Sequence, residues 1–284
     1  MMKIVIYFLI INLFSFFVYG IDKFFALCKR RRIKESLLLT LSFIGGFFGS
    51  ILGMIIFRHK IRKKYFWYFN ILCLSIYLIC SVSLFWYYNN TYYEASKFGI
   101  KEIKSSIDYD NDGVDDYTDI LLGARKDASN KPRYDSRYFD TGYPPDDIGV
   151  CADVIWRAFK EAGYNLRELI DEDIKNNIEK YPNVKRRDSN IDFRRVKNLK
   201  VFFDRYATVL TNDIKQIDEW MPGDIVVFGS GYTHIGIISD RRNAFGIPWL
   251  IHNAGQSRRE ENALEYWSLT RGVTGHYRWD GVKE

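Results

Sequence analysis

The stretch GVCADVIWRAFKEAG, residues 149–163, combines one cysteine with the apolar spacing of an amphipathic helix. Cys151, Ile155, Ala158 and Ala162 recur at helical spacing, so this stripe is predicted to pack onto a neighbouring sheet. Cys151 stands in the first turn of the predicted helix. There, unpaired backbone N–H groups and the positive end of the helix dipole are expected to favour a thiolate over a thiol.

The segments around this stretch predict an α+β domain. Helix-period apolar positions come first along the chain, and strand-like apolar runs separated by turn residues come after them. The predicted helices cover 117–128, 150–162, 166–178 and 196–206, and the predicted strands cover 224–229, 234–240, 248–253 and 272–279. Helices followed by antiparallel strands indicate helices packed on one side of an antiparallel sheet.

The first ninety residues have a different composition. They hold 12 of the 41 Lys and Arg residues but only two of the 35 Asp and Glu residues. Three apolar runs lie here, at 4–19, 37–57 and 65–88, and the last two reach the roughly 20 residues that span a bilayer. The first run could be a signal peptide, but no small-x-small cleavage site follows it. We therefore expect an α-helical membrane region with the lipid bilayer as its partner.

Basic clusters on both sides of the middle run bear on its topology. Residues 29–34 and 58–64 are both rich in Lys and Arg, and both loops are expected on the cytoplasmic side. The middle run contains four glycines, which would permit a re-entrant hairpin in place of a simple span. Two or three spans are consistent with the sequence. In either case, the last run would deliver the rest of the chain outside the bacterial cytoplasmic membrane.

The composition divides the chain into a membrane domain (1–90), a polar lead-in (91–130) and a globular domain (131–284). No Lys/Arg stripe occurs beyond residue 90, which argues against a nucleic-acid partner.

The lead-in contains an acidic loop, DYDNDGVDDYTD, at residues 108–119. Its oxygen-bearing side chains have the spacing of a calcium-binding loop, with a glycine at the sixth position for a sharp turn. The candidate ligands are Asp108, Asp110, Asp112, Asp116 and Asp119. The loop departs from an EF-hand at Asp115, where an apolar residue is usual, and in having Asp119 instead of Glu. The alternative is an acidic hinge that keeps the lead-in solvated.

Cys151 is the one cysteine beyond residue 90, and the chain contains no C-x-x-C pair. A lone cysteine in a helix is by default a small buried apolar residue. Two histidines nevertheless begin or end neighbouring predicted strands: His234 in HIGIISD and His252 in LIHNAG. An imidazole facing a helix-borne thiol can remove its proton and later protonate a leaving amine. His276 is predicted to be a core or surface histidine.

Two charged residues of the opening stretch are predicted to face away from the thiol. Asp153 and Arg157 are four residues apart on the predicted helix, so we expect them to pair with each other.

Four stretches resemble the NlpC-type, papain-like cysteine amidases and endopeptidases of bacterial cell walls: GVCADVIWRAF, MPGDIVVF (221–228), HIGIISD and LIHNAG. Longer stretches, including NIDFRRV and GHYRW, resemble an uncharacterised bacterial family of that superfamily over about 134–279. The resemblance implies that Cys151 is the nucleophile, His234 the general base and His252 the residue that orients the imidazole. It implies a papain-like fold, a cell-wall peptide or other amide as substrate, and no cofactor for catalysis.

The match is incomplete around the nucleophile, because those enzymes usually have Asp and Ser where this chain has Val150 and Ala152. Asn253 also remains an alternative to His252, since strand alternation lets only one of them face the site.

The membrane region resembles a small family of bacterial inner-membrane proteins of unknown function. The matching stretches are YGIDKFFA (19–26), RIKES from Arg32, IGG (44–46) and FRHK (57–60).

The sequence thus favours a membrane-anchored cysteine hydrolase that cleaves an amide bond outside the membrane, in peptidoglycan stem peptides. Transfer of the acyl group to another amine is a close variant. A second class is a zinc site built from one Cys and two His. A third is a tethered, non-catalytic module that binds the wall or a partner.

Overall fold

The computed structural model describes residues 2–229 and 233–281, and the chain folds as two compact units, Met1–Tyr87 and Tyr88–Glu284. The first unit is helical. Its elements are α1 (Met2–Leu27), α2 (Glu35–Leu41), a π-helical turn (Ser42–Gly46), α3 (Phe47–Ile56) and α4 (Lys64–Asn90), which continues into the second unit.

Three stretches of this unit are long and apolar enough to cross a membrane: Lys3–Leu27, Glu35–Ile56 and Lys64–Asn90. Most large apolar side chains of α1 and α4 point outwards, as expected where lipid is the solvent.

The middle stretch reverses direction at Gly45, which has a φ of 109°. Asn12 fixes this turn, because its amide donates to the Gly45 carbonyl (2.9 Å) and accepts from the Gly49 N–H (2.9 Å). Asp22, ten residues further along α1, accepts from Ile33 N–H (2.9 Å) and pairs with His59 (2.6 Å). The middle segment therefore begins and ends beside Asp22, and only its centre reaches Asn12.

The helices α5 (Asp116–Asn130), α6 (Cys151–Glu161), α7 (Leu166–Asn176) and α8 (Val196–Tyr206) of the second unit precede its long strands, as predicted. Helix α9 (Leu264–Arg271) comes late in the chain. The strands are β1 (Arg133–Tyr134), β2 (Ile148–Gly149), β3 (Thr208–Val209), β4 (Ile225–Phe228), β5 (His234–Arg242), β6 (Pro248–Ile251), β7 (Glu260–Glu261) and β8 (Val273–Arg278). The periodicity located α5 to α8 and β4, β5, β6 and β8. It missed the short strands and α9, which lack a long periodic run.

The strands β3 to β8 form an antiparallel sheet in the order β3-β8-β4-β5-β6-β7, while β1 and β2 pair in parallel beside it. Alternation along β5 puts Ile235 and Ile237 in the core under α6 and Ile238 in a second core. The second core includes Leu264 of α9 and packs against its Trp267. Helices therefore cover both faces of the sheet, and the prediction of helices on one side was wrong on this point.

Helix α5 packs closely on α6, because Gly123 leaves no side chain between them. A Cβ at position 123 would lie 2.9 Å from the Ala158 backbone. Arg125, also on α5, bonds Asp240 on β5 (2.5 Å) and Glu260 on β7 (2.6 Å). The second half of the expected lead-in is therefore part of the globular unit.

Candidate active site

Cys151 is the first residue of α6 and is almost fully buried, at 6% exposure. Val150 precedes it in extended conformation and ends the parallel β2 segment. Asp153 closes this turn in both directions: its N–H donates to the Val150 carbonyl (3.0 Å), and its carboxylate accepts from the Val150 N–H (2.8 Å). The short connection from strand to helix fixes where the thiol stands.

Asp153 does not pair with Arg157, so the expected i,i+4 pair was wrong. Its carboxylate instead accepts two bonds from the Arg194 guanidinium (2.6 and 2.9 Å) and one from the Trp156 indole (2.8 Å). Arg157 pairs with Asp127 on α5 (2.6 Å). Tertiary partners prevail because Asp153 and Arg194 are both buried, and a buried carboxylate needs donors on every lone pair. Arg194 belongs to the NIDFRRV stretch, whose role the sequence did not reveal.

The thiol of Cys151 is not held as a thiolate, contrary to the expectation from its helix position. Burial raises its pKa to about 11, and the backbone N–H groups of Ile235, Ala152 and Cys151 offset this rise only in part. Desolvation therefore outweighs the helix terminus. The contribution of Ile235 also locates the sulfur: it lies at the β5 backbone beside Ile235. The Ile235 side chain faces α6, whereas His234 faces the other side of the sheet, toward Trp267, and among the described residues no hydrogen bond joins Sγ to either imidazole.

His234 and His252 are brought together by the antiparallel pairing of β5 with β6. Nε2 of His234 lies 2.8 Å from Nδ1 of His252, and both rings are buried. Within the described residues, Nδ1 of His234 has no hydrogen-bond partner although it is buried. Burial, and secondarily the charge of His252, lowers the pKa of His234 to about 2. The imidazole is thus neutral, with one ring nitrogen open.

Two side chains meet Nε2 of His252: Glu261 Oε1 on β7 and the Gln256 amide nitrogen, each 3.2 Å away. A carboxylate can only accept, so with Glu261 as its partner His252 donates from Nε2 and accepts at Nδ1 from Nε2–H of His234. Nδ1 of His234 then carries a lone pair and can act as a base. The Gln256 amide nitrogen can only donate, and as the partner it would require the opposite tautomers. Nothing in the sequence distinguishes Glu261, which is an ordinary acidic residue in a two-residue strand.

Trp267 of α9 covers one face of the His234 imidazole. Its ring stacks on His234 with centroids 4.1 Å apart and an interplanar angle of 12°. Stacking leaves the edge of the imidazole, where its nitrogens lie, for hydrogen bonds. The sequence did not point to Trp267, because α9 itself was not predicted.

Asn253, the alternative to His252 as the residue that orients the imidazole, makes structural hydrogen bonds instead. Its amide donates to the carbonyls of Pro132 (3.1 Å) and Gly149 (3.0 Å), and its oxygen accepts from Gly255 N–H (3.0 Å). The side chain therefore holds the β1–β2 segment that leads to Cys151. It is His252 that contacts His234.

His276 lies apart from this cluster, as predicted. It is buried against Trp220 in a stack with centroids 3.7 Å apart, and it bonds Asp224 (3.0 Å) and the Thr211 carbonyl (2.8 Å). Arg278 bonds the same Asp224 carboxylate. This cluster ties the ends of β4 and β8 together.

The zinc alternative finds no support in this geometry. In the part of the chain that the structure describes, Cys151, His234 and His252 do not bring three ligand atoms together as a metal site requires.

The acidic loop brings some of its predicted ligands together. Side-chain oxygens of Asp108, Asp110 and Asp112 lie within 4.8 Å of one another. Asp116 is occupied differently, since its two oxygens accept from Tyr109 N–H (2.9 Å) and the Tyr164 hydroxyl (2.5 Å). Asp119 is outside the three-residue group but is buried. Burial, and then the charges of Asp112 and Asp110, raise its pKa to about 6.

Comparison with known proteins gives the cysteine-bearing unit a family. The family model described as "Domain of unknown function (DUF1287)" matches residues 121–279, more than half of the chain. The chain belongs to the DUF1287 family. The match begins within α5 and ends just after β8, so it contains Cys151, His234, His252 and Glu261.

A second family model, "Protein of unknown function (DUF1294)", matches residues 12–66 of the membrane region. The chain is also similar to the uncharacterized protein YijF of Escherichia coli (strain K12). The two are 37% identical over 169 residues, covering 56% of this chain and 80% of YijF. No solved structure shows a significant match.

Proposed function

We propose that this DUF1287 protein is a membrane-anchored cysteine hydrolase that cleaves an amide bond, with Cys151 as nucleophile and His234 as general base. One observation carries the proposal: a buried imidazole whose Nε2 is held by His252 keeps its Nδ1 open, and it belongs to the residue before Ile235, whose backbone N–H lies at the Cys151 sulfur. A structural histidine in a core would use both nitrogens, as His276 does.

The electrostatics support a neutral resting pair. A thiol whose pKa is raised to about 11 and an imidazole whose pKa is lowered to about 2 are both uncharged near pH 7. Proton transfer from Sγ to Nδ1 then accompanies attack on the substrate carbonyl, and the new imidazolium donates from Nε2 to His252. Glu261, which follows His252 in this series of hydrogen bonds, compensates the positive charge.

The remaining steps follow from the same groups. Sγ bonds the carbonyl carbon, and the developing oxyanion lies near the N–H groups at the start of α6. The C–N bond breaks as Nδ1–H of His234 protonates the departing amine. Water then attacks the thioester, giving its proton to Nδ1. The C–S bond breaks, the acid is released, and the Cys151 sulfur takes the proton back from Nδ1. Another amine in place of water would give acyl transfer.

The substrate class rests on the resemblance to NlpC-type enzymes, and the packing of the cysteine-bearing helix against an antiparallel sheet supports it. We propose peptidoglycan stem peptides as substrate. A binding module without turnover is the second candidate, and the burial of Cys151 and its raised pKa favour it.

Digestion of purified cell wall separates these candidates. The full-length chain in detergent is incubated with sacculi, and new amino and carboxyl termini are identified by mass spectrometry. The hydrolase predicts soluble fragments from the wild type and none from Cys151→Ser or His234→Gln, while Cys73→Ser, a buried cysteine in the other unit, remains active. Binding to sacculi without release of fragments by any variant would support the binding module.

The membrane unit supports an outward-facing orientation for the catalytic unit. Both basic loops adjoin Asp22 at one end of α1, where Glu35 also bonds Lys60 (2.6 Å) and Lys63 (2.5 Å). The positive-inside rule assigns that end to the cytoplasm. We propose that 35–56 is a re-entrant hairpin and that α4 returns to the outer side. A membrane-impermeant maleimide should then fail to label Cys28 in spheroplasts, whereas labelling of Cys28 would reverse the topology.

A further inference from the structure

The hydrogen bonds within the loop from Asp108 to Asp119 compensate only part of its negative charge. The side-chain oxygens of Asp108, Asp110 and Asp112 converge within 4.8 Å, and Asp110 and Asp112 are exposed. Backbone N–H groups satisfy part of this charge, since Asp112 N–H (3.1 Å) and Gly113 N–H (2.9 Å) donate to Asp108. Like charges at this separation repel, so the arrangement favours a cation.

Asp119 supplies an independent observation. It lies in the first turn of α5, is 3% exposed, and its Oδ2 is buried without a hydrogen-bond partner among the residues described. A buried carboxylate oxygen without a donor is costly unless a cation satisfies it. Asp119 is the twelfth residue of the loop, and the charges of Asp112 and Asp110 act on its carboxylate more strongly than those of its helix neighbours Asp116 and Asp115.

We propose that the loop binds one Ca²⁺ through carboxylate oxygens of Asp108, Asp110, Asp112 and Asp119. The donor set consists of hard oxygens, which Ca²⁺ and Mg²⁺ prefer over transition metals. The ligands are spread over twelve residues with a turn at Gly113 (φ 94°), which suits the larger and geometrically tolerant Ca²⁺. Asp116 holds the loop in place and is not a direct ligand, because its oxygens already accept hydrogen bonds from Tyr109 and Tyr164.

The site would stiffen the junction between the lead-in and the catalytic unit. Tyr109, inside the loop, stacks on Tyr164 with centroids 4.1 Å apart, and Tyr164 follows the end of α6. Asp110 packs on Gly163, where an added Cβ would lie 2.8 Å from the Cβ of Asp110. A bound cation would thus fix the loop against the helix that begins with Cys151. The inference does not depend on catalysis by that cysteine.

Thermal unfolding of the full-length chain in detergent tests the site. After chelation, about 10 mM Ca²⁺ should raise the Tm of the second unit by roughly 3 to 10 °C, the shift expected for a site with Kd of about 10⁻⁴ to 10⁻³ M. Asp110→Asn combined with Asp112→Asn should abolish this shift. The matched control, Asp146→Asn with Asp147→Asn, removes two exposed carboxylates elsewhere and should retain it.

A spectroscopic readout keeps the test valid if a variant folds poorly. Tb³⁺ bound in the loop should luminesce on tyrosine excitation, because Tyr109 is part of the loop, and Ca²⁺ should displace it. Equal Ca²⁺ shifts in the wild type and in the Asp110/Asp112 variant would overturn the proposal. So would a wild type that shows neither a Tm shift nor displaceable Tb³⁺ luminescence.

Discussion

The buried Asp153–Arg194 pair yields the prediction with the clearest magnitude. Asp153 is fully buried and Arg194 is 1% exposed, and two hydrogen bonds join them. Asp153→Asn removes the negative charge and leaves the guanidinium buried with one further contact, to the Arg137 carbonyl (3.3 Å). Breaking one side of such a pair costs about 3 to 5 kcal/mol. For a domain of this size, that corresponds to a Tm lower by roughly 10 °C.

Thermal unfolding of the full-length chain, followed by tryptophan fluorescence, measures this loss. Asp135→Asn is the control, because Asp135 also pairs with an arginine, Arg137, at the surface and should change the Tm far less. Replacing both partners, Asp153→Asn with Arg194→Met, should recover part of the loss, since no uncompensated charge remains. A single Asp153→Asn variant as stable as the control would refute the reasoning that this pair fixes the start of α6.

Three further predictions follow from the second unit. Between pH 7 and pH 5 His234 should reduce the stability of the folded unit by about 2 kcal/mol, because the unfolded chain protonates it near its usual pKa of 6.5 while the folded chain does not until about 2. Denaturant titrations at both pH values should therefore show a change that is less destabilising by about that amount in His234→Gln than in the wild type. Glu261→Gln should lower kcat roughly 10- to 100-fold with little change in Tm, because an amide can donate to His252 and favour the tautomer in which Nδ1 of His234 is protonated. An unchanged kcat would show that Glu261 does not act through His252 on His234. Gly123→Val should destabilise the unit by about 1 to 3 kcal/mol in urea unfolding by forcing α5 away from Ala158, and a neutral effect would show that these helices separate freely.

Long periodic segments made the main elements of the second unit predictable. The stripe through Cys151 and Ile155 located α6, and apolar runs located β4, β5, β6 and β8. Helix α9 was not predicted, because it has eight residues, of which Leu264 alone is buried, and so short a segment shows little periodicity. The consequence was a wrong expectation about the second face of the sheet.

The residue types at the candidate site were predictable, but their electrostatics were not. The sequence indicated that His234 and His252 would lie on neighbouring strands, and the structure bonds them to each other. It could not show that burial would outweigh the helix dipole at Cys151, because burial depends on long-range packing. The partner of Asp153 lies 41 residues away, beyond the reach of local rules for helix pairs.

Trapping the covalent intermediate tests the central claim most directly. The full-length chain is mixed with a soluble stem peptide, quenched in acid within the first turnover, digested with a protease and mapped by mass spectrometry. The account predicts an acyl group on the peptide that contains Cys151, absent from Cys151→Ala and much reduced in His234→Gln. Cleavage of the stem peptide by Cys151→Ala, or an acyl group on Cys28, Cys73 or Cys80 instead, would contradict it.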